Sequence, residues 1–171
     1  MKEIPFFSTP AAFAMRVGQL ATTIYDQMDG CLADEGVKLP GYTTSIVQTL
    51  FHAGPQSISD LATELQLSHQ LASQRVQWLV RRGFVTTASG ADDRRVRIVT
   101  LTRAGRVEAD KLQRFLPRLE AAYGDLFDEV GLDLHDGVVR ASAALVDRPL
   151  AARFGSAPLA GAAPPSKRGR S

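Results

Sequence analysis

Between residues 9 and 32 the apolar positions Phe13, Val17, Leu20, Ile24, Met28 and Cys31 return every three or four residues, which predicts one face of a long helix. Thr9 followed by Pro10 supplies an N-cap and a first-turn proline for it. Residues 36–41, with glycine at both ends and Pro40 inside, read as a loop. A second helix follows over 44–53, with Ile46, Val47, Leu50 and Phe51 on one stripe, and Gly54-Pro55 ends it. Ser57 and Asp60 have the spacing of a capping box, in which the serine accepts a backbone N–H and the acid reaches back to the cap. A short third helix, carrying Leu61, Ala62 and Leu65, is expected there. After a connection at 66–68, Ser68 caps a fourth helix over 69–82 whose buried side holds Ala72, Val76, Leu79 and Val80, and Gly83 stops it.

Two short helices joined by about three residues are a helix-turn-helix, whose second helix enters the major groove of DNA. After Gly83 the period changes from about 3.6 to two. Residues 84–87 and 95–101 predict two strands around a turn at 88–92, that is, a hairpin behind the helix-turn-helix with arginines at its tip and along one edge. Thr102 then caps a long helix to about residue 130, with Leu112, Leu116, Leu119, Tyr123, Leu126 and Val130 on one face and a kink expected ahead of Pro117. Asp133, followed by Asp136, caps a last helix to about residue 147 bearing Leu134, Val138, Ala141 and Leu145.

The first helix and the last two carry more apolar stripe than a domain of this size needs, so they are expected to form a dimer interface. The organisation that follows is an N-terminal arm (1–8), a helical dimerisation region (9–35 and 102–147), a winged helix-turn-helix (43–101) and a disordered basic tail (148–171) rich in proline and glycine. The expected fold is mainly α with a small β-hairpin wing.

Composition alters this picture in one respect. A chain of 171 residues, 44% apolar and 22% charged, is large enough to bury a core without metal or disulfide staples. Its net charge of +2 conceals a strong segregation. Residues 1–67 carry 3 basic against 7 acidic side chains, and residues 107–147 carry 4 against 9. Between them, residues 68–106 hold eight arginines against Asp92 and Asp93, and the tail from 148 adds five basic residues with no acid. Arginine donates two parallel hydrogen bonds from a planar fork, which suits phosphate and guanine, so a polyanion is the expected partner.

Other chemistry finds little support. No phosphate loop, nucleophile elbow or paired histidine–carboxylate motif is present, so no enzymatic activity is expected. His52, His69 and His135 lack ligand spacing, and no metal or other cofactor is expected. Cys31, the single cysteine, has Asp29, Asp34 and Glu35 nearby instead of cations, which favours a packing role over a redox one. Prolines interrupt the apolar residues of the N-terminus and no run approaches a membrane span, so the expected location is the cytoplasm, at the nucleoid through DNA.

The segment from 57 to 105 resembles the winged helix-turn-helix of the multiple antibiotic resistance regulator (MarR) family. Three motifs in order carry the resemblance: ISDLATELQLS at the helix-turn-helix entry, VQWLVRRGFV at the end of the second helix, and ADDRRVRIVTLTRAG. The last contains the wing's Asp-x-Arg (Asp93, Arg95) and the leucine-threonine-x-x-glycine that opens the next helix. The flanking helices over 10–147 resemble the family in pattern alone. Pro117, the short last helix and the basic tail depart from it. The resemblance implies a homodimeric transcription regulator on a pseudo-palindromic site in double-stranded DNA, commonly a repressor displaced by a small aromatic or phenolic effector.

On the fourth helix, Gln70, Ser73, Gln74 and Gln77 lie opposite the apolar side and are the candidate base readers, since glutamine bonds bidentately to adenine and serine to several base edges. Ser68 and His69 stand at the helix start, where free N–H groups favour a phosphate. Arg75 is placed between the packed and exposed sides, and Trp78 on the core side. In the wing, Arg94, Arg95 and Arg97 are the candidate backbone or minor-groove contacts, and Asp93 is expected to hold the turn. Lys167, Arg168 and Arg170 add sequence-independent attraction. Two other readings fit the same residues: a sequence-indifferent, chromatin-organising DNA binder, and a winged-helix ligand or protein-interaction module that does not bind DNA.

Overall fold

A computed structural model describes residue 7, residues 9–90 and residues 96–154. Among these residues seven α-helices and three short strands follow in the order α1 (Phe13–Asp34), α2 (Gly41–Ala53), β1 (Gln56–Ser57), α3 (Ile58–Glu64), α4 (His69–Arg81), β2 (Val85–Ser89), β3 (Arg97–Leu101), α5 (Arg103–Val130), α6 (Leu134–Asp147) and α7 (Leu150–Phe154). The fold is the mostly helical winged helix expected. The sheet, however, has three antiparallel strands in the order β1-β3-β2, not two. Gln56 pairs with Val99 and Ser57 with Ile98, so the residues just ahead of α3 close the outer edge of the wing. Strand β2 also runs two residues past the predicted 87, because pairing of Ser89 with Arg97 and Ala88 with Ile98 outweighs their weak strand preference.

Local chemistry sets the helix boundaries. The Ser57 hydroxyl accepts from Asp60 N at 3.0 Å, but the Asp60 carboxylate accepts from that same hydroxyl at 2.7 Å instead of reaching the Ser57 backbone. Ser68 Oγ accepts from Leu71 N at 3.2 Å, and Asp133 Oδ1 from Asp136 N at 2.8 Å. At the N-terminus, Thr9 makes no side-chain cap; a 3-10 turn, Pro10–Ala12, precedes α1. Thr102 joins wing to helix: its hydroxyl donates to Gly83 O at 2.7 Å and accepts from Gly105 N at 3.0 Å. A Cβ on Gly105 would collide with the carbonyl of Phe84, which explains a glycine three residues after that threonine. Pro117 lies inside α5, which continues past it as α-helix.

The chain divides into two units, Met1–Glu120 and Ala121–Ser171. The first holds the core, built from Met28, Leu32, Ile46, Val47, Leu50, Leu61, Val76, Leu79, Val85, Val99, Leu101, Ala109, Leu112 and Phe115 among others. A buried carboxylate ties its helices together. Glu108 on α5 accepts from Lys38 N at 2.6 Å and from Lys111 Nζ at 2.8 Å, while Lys111 also donates to Gly36 O at 2.6 Å. The connection between α1 and α2 is thereby pinned to α5.

On two predicted stripes some positions stay exposed in this chain. On α1, Met28 and Leu32 are buried, but Phe13 is 64% exposed and Val17, Leu20 and Cys31 are exposed as well. Cys31 therefore does not pack in the core of this chain; Leu32, one position on, takes that place. On α4, Val80 is exposed because the helix packs through Ala72, Val76 and Leu79, leaving Val80 on the flank beside Ile58 and Thr87. In the second unit α6 has no buried residue. Where the sequence predicted disorder from 148, α7 forms, and Arg153 donates to the carbonyls of Arg148 at 2.9 Å and Ala144 at 2.6 Å. No helix among the described residues is long and apolar enough to cross a membrane.

Candidate nucleic-acid interface

Helix α4 presents three faces at about 100° per residue. Its packed face sinks Ala72, Val76 and Leu79 into the core. The opposite face carries Gln70, Gln74 and Gln77, all exposed, with Ser68 and His69 exposed at its start. Ser73 is half-buried and lies 3.5 Å from Gln77 Nε2, so this candidate is less open than its neighbours. A row of amides free of core duties is what base reading in a major groove requires.

On one flank of α4, strand β3 brings Arg97 beside it. Arg97, His69 and Ser73 line one open cleft together with Ser57, Ser59 and Asp60, and Arg97, Ser73, Gln77 and Arg81 line another with Ile58 and Thr87. The fold thus brings Arg97 of the wing and the polar face of α4 onto one surface. Arg94, Arg95 and Asp93 lie outside the described residues. Arg81 was missed by sequence reasoning, although it follows Gln74 by seven residues and Gln77 by four and so falls on the same face. Asp60 was not expected at this surface; its charge is partly spent on the Ser57 cap.

The other flank is aromatic. Trp78 stacks on Phe84, with centroids 6.3 Å apart, and meets Tyr42 edge-on at 6.4 Å, confirming its place against the core. The Arg82 guanidinium lies over Trp78 at 5.3 Å and that of Arg75 over Tyr42 at 5.9 Å. Arg75 thus lies between the packed and exposed sides, on a ring. Among the described residues no group of three or more His, Cys, Asp or Glu side chains is placed to hold a metal ion.

The MarR family model matches residues 46–95, the helix-turn-helix and the start of the wing. Among solved structures, the M. tuberculosis transcriptional regulator MosR, in complex with DNA, aligns with a TM-score of 0.62 at 20% identity, over 82% of this chain and 99% of that one. A MepR-like protein complexed with pseudoligands aligns at 0.57 and 22% identity, over 76% and 91%. The heme sensor protein PefR from Streptococcus agalactiae, in complex with heme, aligns at 0.54 and 22% identity, over 77% and 91%. No curated protein matches by sequence. The chain has the fold of the MarR-family winged-helix transcription regulators.

Proposed function

We propose that this chain is a sequence-specific, homodimeric DNA-binding transcription regulator, acting as a repressor that a small aromatic or phenolic molecule releases from DNA. The observation that carries this reading is the exposed amide face of α4, free of packing duties and bordered by Arg81 and Arg97. Phosphate contacts from the arginines fix register and supply affinity, and Gln70, Gln74 and Gln77 read base edges. Two α4 helices in successive major grooves stand about 34 Å apart on a pseudo-palindromic site. The exposed apolar faces of 9–35 and 102–147 are the surfaces that would set this spacing, with Phe13, Val17 and Leu20 on one and Val138 and Leu145 on the other.

MosR is described in complex with DNA and PefR as a heme sensor, which supports the pairing of DNA binding with ligand response in proteins of this fold. An effector acts here by binding the spacing unsuited to DNA more tightly than the competent one; equal affinity for both would shift nothing. The test is binding to the DNA upstream of its own gene against scrambled DNA of equal length at about 150 mM salt, with a preference of about 10³-fold expected. Gln74→Ala is expected to lose about 1–3 kcal/mol on the preferred sequence alone. Equal, salt-sensitive binding to both duplexes would replace this reading with the sequence-indifferent, chromatin-organising one, and absence of binding to either would leave an interaction module.

A further inference from the structure

A recognition helix lying in a major groove has two flanks, and each faces one phosphodiester strand. In this chain the wing arms one flank through Arg97. The other flank is not bare. An open groove runs along it, lined by Tyr42 of α2 and by Leu71, Gln74, Arg75, Trp78 and Arg81 of α4. Its residues share Gln74 and Arg81 with the exposed amide face, so the groove and that face form one continuous surface.

We infer that this groove is a phosphate seat for the second DNA strand, with Arg75 as its cation and Tyr42 as the plate that holds the arginine in place. Three observations converge on it. The Arg75 guanidinium lies over the Tyr42 ring, 5.9 Å from its centroid, so its plane is held before any ligand arrives. Arg75 Nε is buried and has no hydrogen-bond partner, and among the described residues no carboxylate pairs with the side chain. With no carboxylate to neutralise it, the guanidinium is left for a phosphate oxygen entering the groove. Finally, Arg81 lines both this groove and the cleft on the wing side, which extends positive charge across the helix from one flank to the other. An arginine held on a ring spends less side-chain entropy on binding than one free in solvent, and its planar fork matches two oxygens of a phosphodiester.

The inference rests on the DNA-binding reading above and is tested apart from it with a mixed-sequence 30-bp duplex, on which phosphate contacts dominate. Wild type, Arg75→Met and Arg75→Gln, each checked for folding by circular dichroism, are titrated at salt concentrations from about 50 to 200 mM. Both neutral variants are expected to bind on the order of tenfold more weakly at about 0.1 M salt. Their plot of log affinity against log salt should be shallower by about 0.9 for each phosphate that is no longer neutralised, close to twice that for a dimer. Arg75→Lys is expected to restore the slope, because it returns the charge. Unchanged slopes in the neutral variants, with wild type binding normally, would overturn the phosphate seat while leaving the DNA-binding reading intact. A slope that stays shallow in Arg75→Lys would assign the loss to packing against Tyr42 and overturn it too. Failure of wild type to bind any duplex would remove both readings together.

Discussion

Val47 and Val146 are the same side chain on two amphipathic helices, yet Val47 is completely buried and Val146 is 79% exposed. The contrast extends to whole elements. In the first unit Ile46, Val47, Leu61, Ala72, Leu79 and Val99 are sealed from solvent, whereas α6 leaves Val138, Val139, Leu145 and Val146 exposed and buries nothing. Fully burying such a side chain is worth about 1.5–3 kcal/mol, so the first unit has already collected this stabilisation and α6 has not. A helix of 14 residues is marginal in water by itself. Periodicity gives the direction of an apolar face, and only the folded chain distinguishes a face covered from within from one left exposed.

The strongest way to sharpen this comparison is to cut each region where its energy is expected to lie. Leu79→Ala, at a site with no exposure, should lower the free energy of unfolding by about 2–5 kcal/mol, read by urea denaturation. A loss below about 1 kcal/mol would show that the α4 packing face contributes less than its burial indicates. The matching change on α6, Val138→Asp with Val146→Asp, acts on association instead. It is expected to weaken the proposed dimer by about 100-fold or more in sedimentation equilibrium, since it removes two apolar side chains and places a charge at each position. A wild-type protein monomeric at micromolar concentration, or a double variant that associates equally well, would remove α6 from the dimer surface.

The same comparison explains what was legible in the sequence. The caps at Ser57, Ser68, Thr102 and Asp133 were readable because each is decided within about three residues of chain. Strand β1 was not: Gln56 and Ser57 carry no period, and they are a strand only because Val99 and Ile98, far along the chain, pair with them. Val80 was misassigned for a third reason, since a period gives the direction of a stripe but not its width. In the candidate interface, the amide face of α4 followed from helical spacing alone. The seat of Arg75 did not, because Tyr42 stands on another helix, and nothing in the local sequence around Arg75 announces its partner.

The smallest effect concerns the turn between α3 and α4, where Gln66 has a φ of +51°, the one described non-glycine residue in the left-handed region. The turn is closed by Gln66 N donating to Thr63 O at 3.2 Å and Leu67 N to Ala62 O at 2.8 Å, so the strained backbone is fixed by the helix-turn-helix geometry on both sides. A left-handed conformation costs an L-residue about 1–2 kcal/mol that glycine escapes. Glycine in turn gives back about 0.4–1 kcal/mol through the greater freedom of its unfolded chain. Gln66→Gly is therefore expected to stabilise the first unit by up to about 1 kcal/mol, visible as a rise of a few degrees in Tm. Because the change lies far in sequence from α6 and alters no apolar face, the association constant of the proposed dimer should stay where it was. A fall in Tm would mean that the glutamine side chain contributes more to the turn than its backbone strain removes, and a coupled change in association would mean that the turn and the dimer surface do not act independently.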